Sequence, residues 1–304
     1  MTTPHDTIAL ARQITQHHSH LQIGQPLSAA EATLPADALL PVAQAAAIQG
    51  ARMLGFIEAD AQCLAQAWQH QTQRFGQFDP MHWPDQVVDF EMPAWPRQNP
   101  FATCPSDLGL YAVLPNAQWV ARMAQAGVPT LQLRFKSDNP AEVAAEVRAA
   151  VKAVAGTSAW LFINDHWQHA IDAGAYGVHL GQEDLNSADL SAIRRAGLRL
   201  GLSTHGYAEM MRADALSPSY IAMGAVFPTT LKNMPTAPQG LGRLGAYAQL
   251  MQAHSLVAIG GIDEARFADV RRTGVGSIAV VRALVTATDP EGTAHHLMQL
   301  IPRG

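Results

Sequence analysis

The sequence predicts an α/β protein: a (β/α)8 TIM barrel preceded by an N-terminal, mainly helical extension. Three observations predict it. From Leu108 onward, eight short apolar runs alternate with eight helix-like stretches, and strands separated by helices pair in parallel. Eight such repeats close into a barrel, here over roughly 195 residues, near the compact limit of that fold. Polar residues able to do chemistry follow many of the apolar runs. A barrel mouth has that pattern, whereas an open doubly wound sheet gathers such residues at one switch point.

The extension, residues 1–105, comes first. Pro35 to Leu54 and Ala59 to Phe75 are rich in Ala, Gln and Leu and predict two helices. Asp37 is placed to cap the first; Gly50 and Gly55 weaken its end. His17, His18 and His20 could bind a metal, but their polar surroundings predict a solvated segment. Phe78 to Pro105 carries Pro80, Pro84, Pro93, Pro96, Pro100 and Pro105, which excludes a regular helix or a central strand. Trp83 and Trp95 predict that this connector packs on something. No catalytic constellation is visible in residues 1–105.

Residues 106–304 form the predicted barrel. Its strands are expected at Leu108–Leu114, Thr130–Phe135, Trp160–Asn164, Gly177–Leu180, Arg199–Ser203, Tyr220–Gly224, Leu256–Ile259 and Ser277–Val281. The intervening helices are expected at Ala117–Ala126, Pro140–Ala155, Trp167–Ala173, Ala188–Ala196, Tyr207–Leu216, Leu241–Ala253, Glu264–Arg272 and Pro290–Ile301. The bulk numbers agree with one large domain and an appendage. The chain has 304 residues, 48% of them apolar, and a formal charge of −5, so no basic field invites nucleic acid. Cys63 and Cys104 are the only cysteines, which excludes a disulfide framework and a four-cysteine zinc site. No apolar run reaches membrane-spanning length and no leader pattern is visible. A soluble, cytoplasmic protein is expected, and a homo-oligomer is compatible with the sequence.

The candidate chemistry sits at the predicted strand ends. Gln132, Arg134 and Lys136 alternate onto one side of the second strand; a guanidinium and an ammonium there suit a polyphosphate. Asp165 follows the third strand, and His179, Gln182 and Asp184 lie at the fourth. Taken alone, Asp165 could simply cap the next helix. Paired with Asp184 at the adjacent strand end, it suggests a Mg²⁺–diphosphate site, because hard carboxylate oxygens suit Mg²⁺. Ser203, Thr204 and His205 end the fifth strand and could contact a ring or a phosphate, or cap the next helix. A long loop after the sixth strand holds Thr229, Thr230, Leu231 and Lys232, and long loops in compact domains often serve as lids. Gly260 and Gly261 follow the seventh strand, and Val281 and Arg282 the eighth, where barrels recurrently bind phosphate. Two phosphorylated substrates facing each other suggest a transferase that expels pyrophosphate. No nucleophilic triad is suggested.

Together these motifs resemble the thiamine-phosphate synthase family. They are QLRFK (132–136), IND (163–165), GVHLGQED (177–184), LSTH (202–205), FPTTLK (227–232), AIGGI (258–262) and AVVRA (279–283), in family order. The resemblance spans roughly Leu108 to Ile301. It implies a Mg²⁺-dependent transferase of thiamine biosynthesis that joins a hydroxymethylpyrimidine diphosphate to a thiazole phosphate and releases pyrophosphate. It also implies roles. Gln132, Arg134, Lys136, Asn164, Ser203 and Lys232 would hold the pyrimidine diphosphate, with Arg134, Lys136, Ser203 and Lys232 assisting the chemistry. Asp165 and Asp184 would hold Mg²⁺. Thr229, Thr230, Leu231, Gly260, Gly261, Val281 and Arg282 would line the thiazole phosphate site. Leu231 stands where the family usually has threonine, and Arg282 where it usually has serine; the first removes a hydroxyl and the second adds a cation. Two alternatives are a thiazole tautomerase, with His205 moving a proton, and a non-catalytic regulatory barrel. Retention of Arg134, Lys136, Asp165 and Asp184 together favours the synthase.

Overall fold

The computed structural model describes residues 4–94, 97–229 and 236–301. Eight parallel strands close on themselves in chain order, the first pairing with the eighth. They are β1 (Leu110–Leu114), β2 (Thr130–Leu133), β3 (Trp160–Asn164), β4 (Gly177–Leu180), β5 (Arg199–Thr204), β6 (Tyr220–Met223), β7 (Leu256–Ile259) and β8 (Ser277–Val280). Most positions are buried on both faces, as continuous apolar runs in a parallel sheet require. β2 ends two residues before the expected Phe135, although Arg134 N–H still donates to Leu114 O at 2.8 Å. The inward faces hold a layer of large rings: Tyr111, Phe162 and Tyr220. Glycines make room for them. Gly201 pairs with Tyr220 across β5 and β6, and a Cβ there would lie 2.1 Å from the Tyr220 ring.

The helices are α1 (Pro4–His17), α2 (Ala29–Ala32), α3 (Val42–Met53), α4 (Glu58–Phe75), α5 (Ala117–Gln125), α6 (Pro140–Val154), α7 (Trp167–Ala173), α8 (Leu190–Arg195), α9 (Tyr207–Ala215), α10 (Gly240–Leu250), α11 (Phe267–Arg272), α12 (Arg282–Val285) and α13 (Pro290–Gln299). Their starts follow the chemistry of the sequence. The side chains of Asn116, Asn139, Asp189 and Asp289 accept first-turn N–H groups of α5, α6, α8 and α13.

The extension departs from the expected pair of helices. Pro35 to Leu54 is not one helix. A 3₁₀ turn, Pro35–Leu39, ends before Pro41, which has no N–H and takes an extended ψ of 143°, and α3 begins after it. Asp37 does not cap α3: its carboxylate accepts from Leu34 N–H at 2.9 Å and from the Arg52 guanidinium at 2.7 Å. Nor is the histidine segment uniformly solvated. It begins at the last residue of α1, and while His17 and His20 are exposed, His18 is buried. The His18 ring meets Trp83 edge-on and its Nε2 bonds Pro80 O at 3.1 Å. Burial pushes its pKa down to about 4. Trp83 packs as expected, on Phe56 and Trp68; Trp95 lies outside the described residues. Ile14, Leu21, Ile48, Leu64 and Trp68 belong to the same contiguous apolar core as the outer face of the barrel and its helices. The extension meets the barrel at α9 and α10. There Arg243, 2% exposed, donates to Leu21 O at 2.8 Å and to Leu54 O at 2.9 Å. Its guanidinium also lies 3.5 Å over the Phe56 ring.

Candidate active site

One cavity of about 940 Å³ opens at the C-terminal end of the barrel, the end where βα loops gather. Gln132, Arg134 and Lys136 all line it, although only Gln132 lies within the strand. Gln132 donates from Nε2 to Asn164 Oδ1 at 2.7 Å, and both residues are buried. That bond fixes two side-chain amides in the floor with polar edges available to a ring.

Asp165 and Asp184 also line the cavity. Register explains why they meet: Asn164 pairs with His179 across β3 and β4, and Asp165 N–H donates to His179 O at 3.0 Å. The capping alternative for Asp165 is not realised. The N-cap of α7 is His166, with no side-chain cap bond, and Asp165 itself adopts φ 63°. That left-handed conformation is one Asp tolerates better than most residues. Asp184 is held by Gly181 N–H, 2.8 Å from its Oδ2. Asp165 is raised to about 6, first by loss of solvent in the cleft and then by the neighbouring Asp184 carboxylate; Arg134 and His166 act weakly the other way.

Ser203 sits beside this pair. Its hydroxyl bonds His179 Nε2 at 2.8 Å, and its carbonyl accepts from Gln182 Nε2 at 2.8 Å. His179 Nδ1 bonds Tyr220 OH at 2.7 Å, and Tyr220 OH bonds Tyr111 OH at 2.6 Å. A hydrogen-bonded chain therefore runs from the barrel centre to the mouth. Neither Ser203 nor Thr204 caps α9: the Thr204 hydroxyl donates to Ala222 O at 3.1 Å. His205 is held by Glu209, whose carboxylate accepts from its backbone N–H at 2.9 Å and bonds its Nδ1 at 2.7 Å.

The opposite wall comes from the last two loops. Gly260 and Gly261 have φ of 105° and 64°. A Cβ on Gly260 would lie 2.6 Å from the Ala225 backbone, so only glycine lets this turn close against its neighbour. Val281, Arg282 and Thr229 line the same wall. Thr230, Leu231 and Lys232 lie outside the described residues.

Sequence reading missed several contributors. Arg266 lines the cavity, donates to Gly261 O and lies 4.4 Å over the Phe227 ring. Glu209 was legible only as a partner four residues after His205. Tyr111 and Tyr220 carry no local signal: β1 and β6 are not paired strands, and the two hydroxyls meet only across the interior of the closed barrel.

A model of the family described as thiamine monophosphate synthase matches residues 110–284. The thiamine-phosphate synthase of Neisseria meningitidis serogroup A is 55% identical over 191 residues, covering 63% of this chain and 93% of the relative. That of Serratia proteamaculans is 52% identical over 202 residues, covering 66% and 95%. Among solved structures, the thiamine phosphate pyrophosphorylase from Pyrococcus furiosus aligns with a TM-score of 0.56 at 26% identity, over 64% of this chain and 95% of that one.

Proposed function

The chain belongs to the thiamine monophosphate synthase family, and from that premise we propose that its barrel mouth joins a hydroxymethylpyrimidine diphosphate to a thiazole phosphate and expels pyrophosphate. One observation carries this reading: a single cavity has two unlike halves. Arg134, Lys136, Asp165 and Asp184 lie on one side; Gly260, Gly261, Arg266 and Arg282 lie on the other. Two phosphorylated heterocycles can bind there face to face, with the reacting atoms between them.

The first half fits Mg²⁺. Its donors are two hard carboxylates sharing one cleft, and Asp165 is raised to about 6 in part by Asp184; a divalent cation relieves that repulsion. Among the described residues no group of three or more His, Cys, Asp or Glu is placed to hold a metal. The chain would thus supply two ligands, leaving the rest to diphosphate and water, a common Mg²⁺ arrangement. When bound, the ion would neutralise charge on the departing diphosphate.

The chain's own residues would do the rest. Arg134 and Lys136, with Lys232 from the loop after β6, would grip the diphosphate as charge builds on it. The Gln132–Asn164 pair would orient the aminopyrimidine, and Ser203, held by His179, would contact the diphosphate end. The bond between the pyrimidinylmethyl carbon and the diphosphate oxygen breaks first. Its electron pair leaves with the diphosphate, and the aminopyrimidine delocalises the positive charge. The thiazole nitrogen then donates its lone pair to that carbon. Thr229, Thr230, Leu231, Gly260, Gly261, Val281 and Arg282 would keep the thiazole phosphate, and hence that nitrogen, in line. Excluding water matters because water would capture the cation.

The test is to incubate purified protein with both heterocycles and Mg²⁺ and identify the product by mass. The expected result is thiamine phosphate with one pyrophosphate per turnover, requiring both substrates. No product, or pyrophosphate release that ignores the thiazole, contradicts the reading.

A further inference from the structure

We propose that the N-terminal extension is a positioning element of the active site: Asp60 on α4 caps α9 from outside the barrel and so fixes the turn that carries His205 and Glu209. This rests on the coupling reading above.

Helix α9 begins at Tyr207, and its N-cap is Gly206, which has no side chain to accept the free N–H groups of the first turn. Asp60 accepts instead. Its Oδ1 takes the N–H of Ala208, second residue of α9, at 2.9 Å. A local Ser or Asp at the N-cap would make that same bond. The two options exclude each other, because a Cβ on Gly206 would lie 2.1 Å from Asp60 Oδ2. Asp60 is 3% exposed, so bulk water does not compete with it for that N–H in the intact protein.

The capped turn reaches the mouth. Glu209, third residue of α9, holds both the backbone and the ring of His205, and both residues line the cavity. The rest of the extension grips the same sector. Trp83 Nε1 donates to Tyr207 OH at 2.9 Å, and Phe90 stacks on the Tyr207 ring with centroids 5.4 Å apart. Arg97 donates to Asp214 near the far end of α9 at 2.6 Å. Arg243 ties α10 to Leu21 and Leu54. Helices α9 and α10 bracket β6 and the loop that follows it. The extension thus holds both supports of the loop that carries Thr229.

The experiment is steady-state kinetics of full-length variants at a temperature where each is fully folded by circular dichroism. Asp60→Ala should lower kcat/KM for the pyrimidine diphosphate about fivefold, the effect of one helix cap. Asp60→Asn keeps an Oδ1 acceptor and should stay near wild type. Gly206→Ser should impair the wild-type background, where it meets Asp60, yet restore activity to Asp60→Ala by capping α9 locally. Unchanged kinetics in Asp60→Ala, with only a lower unfolding midpoint, would overturn the proposal. So would a double variant no better than Asp60→Ala. If the wild type releases no pyrophosphate, the coupling reading has failed. Exchange of the Ala208 amide then decides the cap: it should quicken in Asp60→Ala and slow again in the double variant, and unaltered exchange refutes it.

Discussion

Gly201→Ala probes whether the barrel's centre positions its mouth. A Cβ at this position would lie 2.1 Å from Tyr220 Cζ and 2.4 Å from its hydroxyl. Ordinary carbon contacts begin near 3.5 Å, so the ring must retreat by roughly 1.5 Å. Tyr111, Phe162 and His179 surround it at centroid distances of 5.8, 5.1 and 5.7 Å, which leaves no free direction of retreat. Overpacking of this kind costs about 1–3 kcal/mol. The moved hydroxyl also gives up its bonds to Tyr111 and His179, each contributing about 1 kcal/mol. The expected loss is about 4 kcal/mol, a large share of the roughly 5–15 kcal/mol that stabilises a domain. Urea unfolding measures it. In the fraction that remains folded, the His179 ring that bonds Ser203 loses the Tyr220 contact that orients it, and kcat should fall by up to about a hundredfold, the cost of a misplaced contact. Tyr220→Phe makes a milder companion: the ring stays and only the hydroxyl is lost, so about 1–3 kcal/mol is expected. A Gly201→Ala protein with wild-type midpoint and rate would refute the claim that this chain of hydrogen bonds orders the mouth.

Four further predictions concern the junction, the carboxylate pair and the diphosphate grip. Arg243→Met leaves the buried Leu21 O without its donor, while Leu54 O keeps the Ile23 N–H at 3.1 Å, and should lower stability by about 2–4 kcal/mol in chemical denaturation; an unchanged midpoint contradicts the described junction. Asp165, raised from 3.8 to about 6, must lose a proton to bind a cation. Mg²⁺ affinity by calorimetry should therefore fall about tenfold per pH unit below 6 and level off above it, and a flat profile between pH 5 and 7 contradicts this. Without divalent cations the sign reverses: the folded state holds this proton more tightly than the unfolded chain. Its stabilising share is full below about pH 4 and is lost as pH rises through 6, and Asp165→Asn should flatten that slope in denaturation curves. Lys136→Ala should weaken binding of the pyrimidine diphosphate about tenfold and leave that of the thiazole phosphate unchanged; equal losses would mean the two halves are wrongly assigned.

The barrel was legible because each strand is a short apolar run bounded by turn residues. Trp160–Asn164, Gly177–Leu180 and Leu256–Ile259 begin and end where the sequence suggests. Strand β2 was overestimated because Arg134 and Lys136 continue its alternation after ladder pairing stops. The residues meeting at the mouth were legible for a topological reason: in a closed parallel barrel, whatever follows a strand arrives at one end. Their conformations were not legible. The left-handed turn at Asp165 is set by Asp165 N–H docking on β4, a contact between strands. The extension was the least legible part. His18 reads as a surface residue until Trp83 and Pro80, more than sixty positions away, fold over it. Asp60 reads as a first-turn acid of α4, yet its partner stands 148 residues along the chain. Only Pro41 could have corrected the reading, since it marks a break inside the supposed first helix.

The most direct test of the account is a titration of the purified chain with Mn²⁺ in the presence of pyrophosphate, with bound ion counted by electron paramagnetic resonance. Asp165 and Asp184 acting on one cation predict a single tight ion per chain, lost alike in Asp165→Asn and Asp184→Asn. Undiminished binding by either variant, or two ions that the variants remove one at a time, would contradict it.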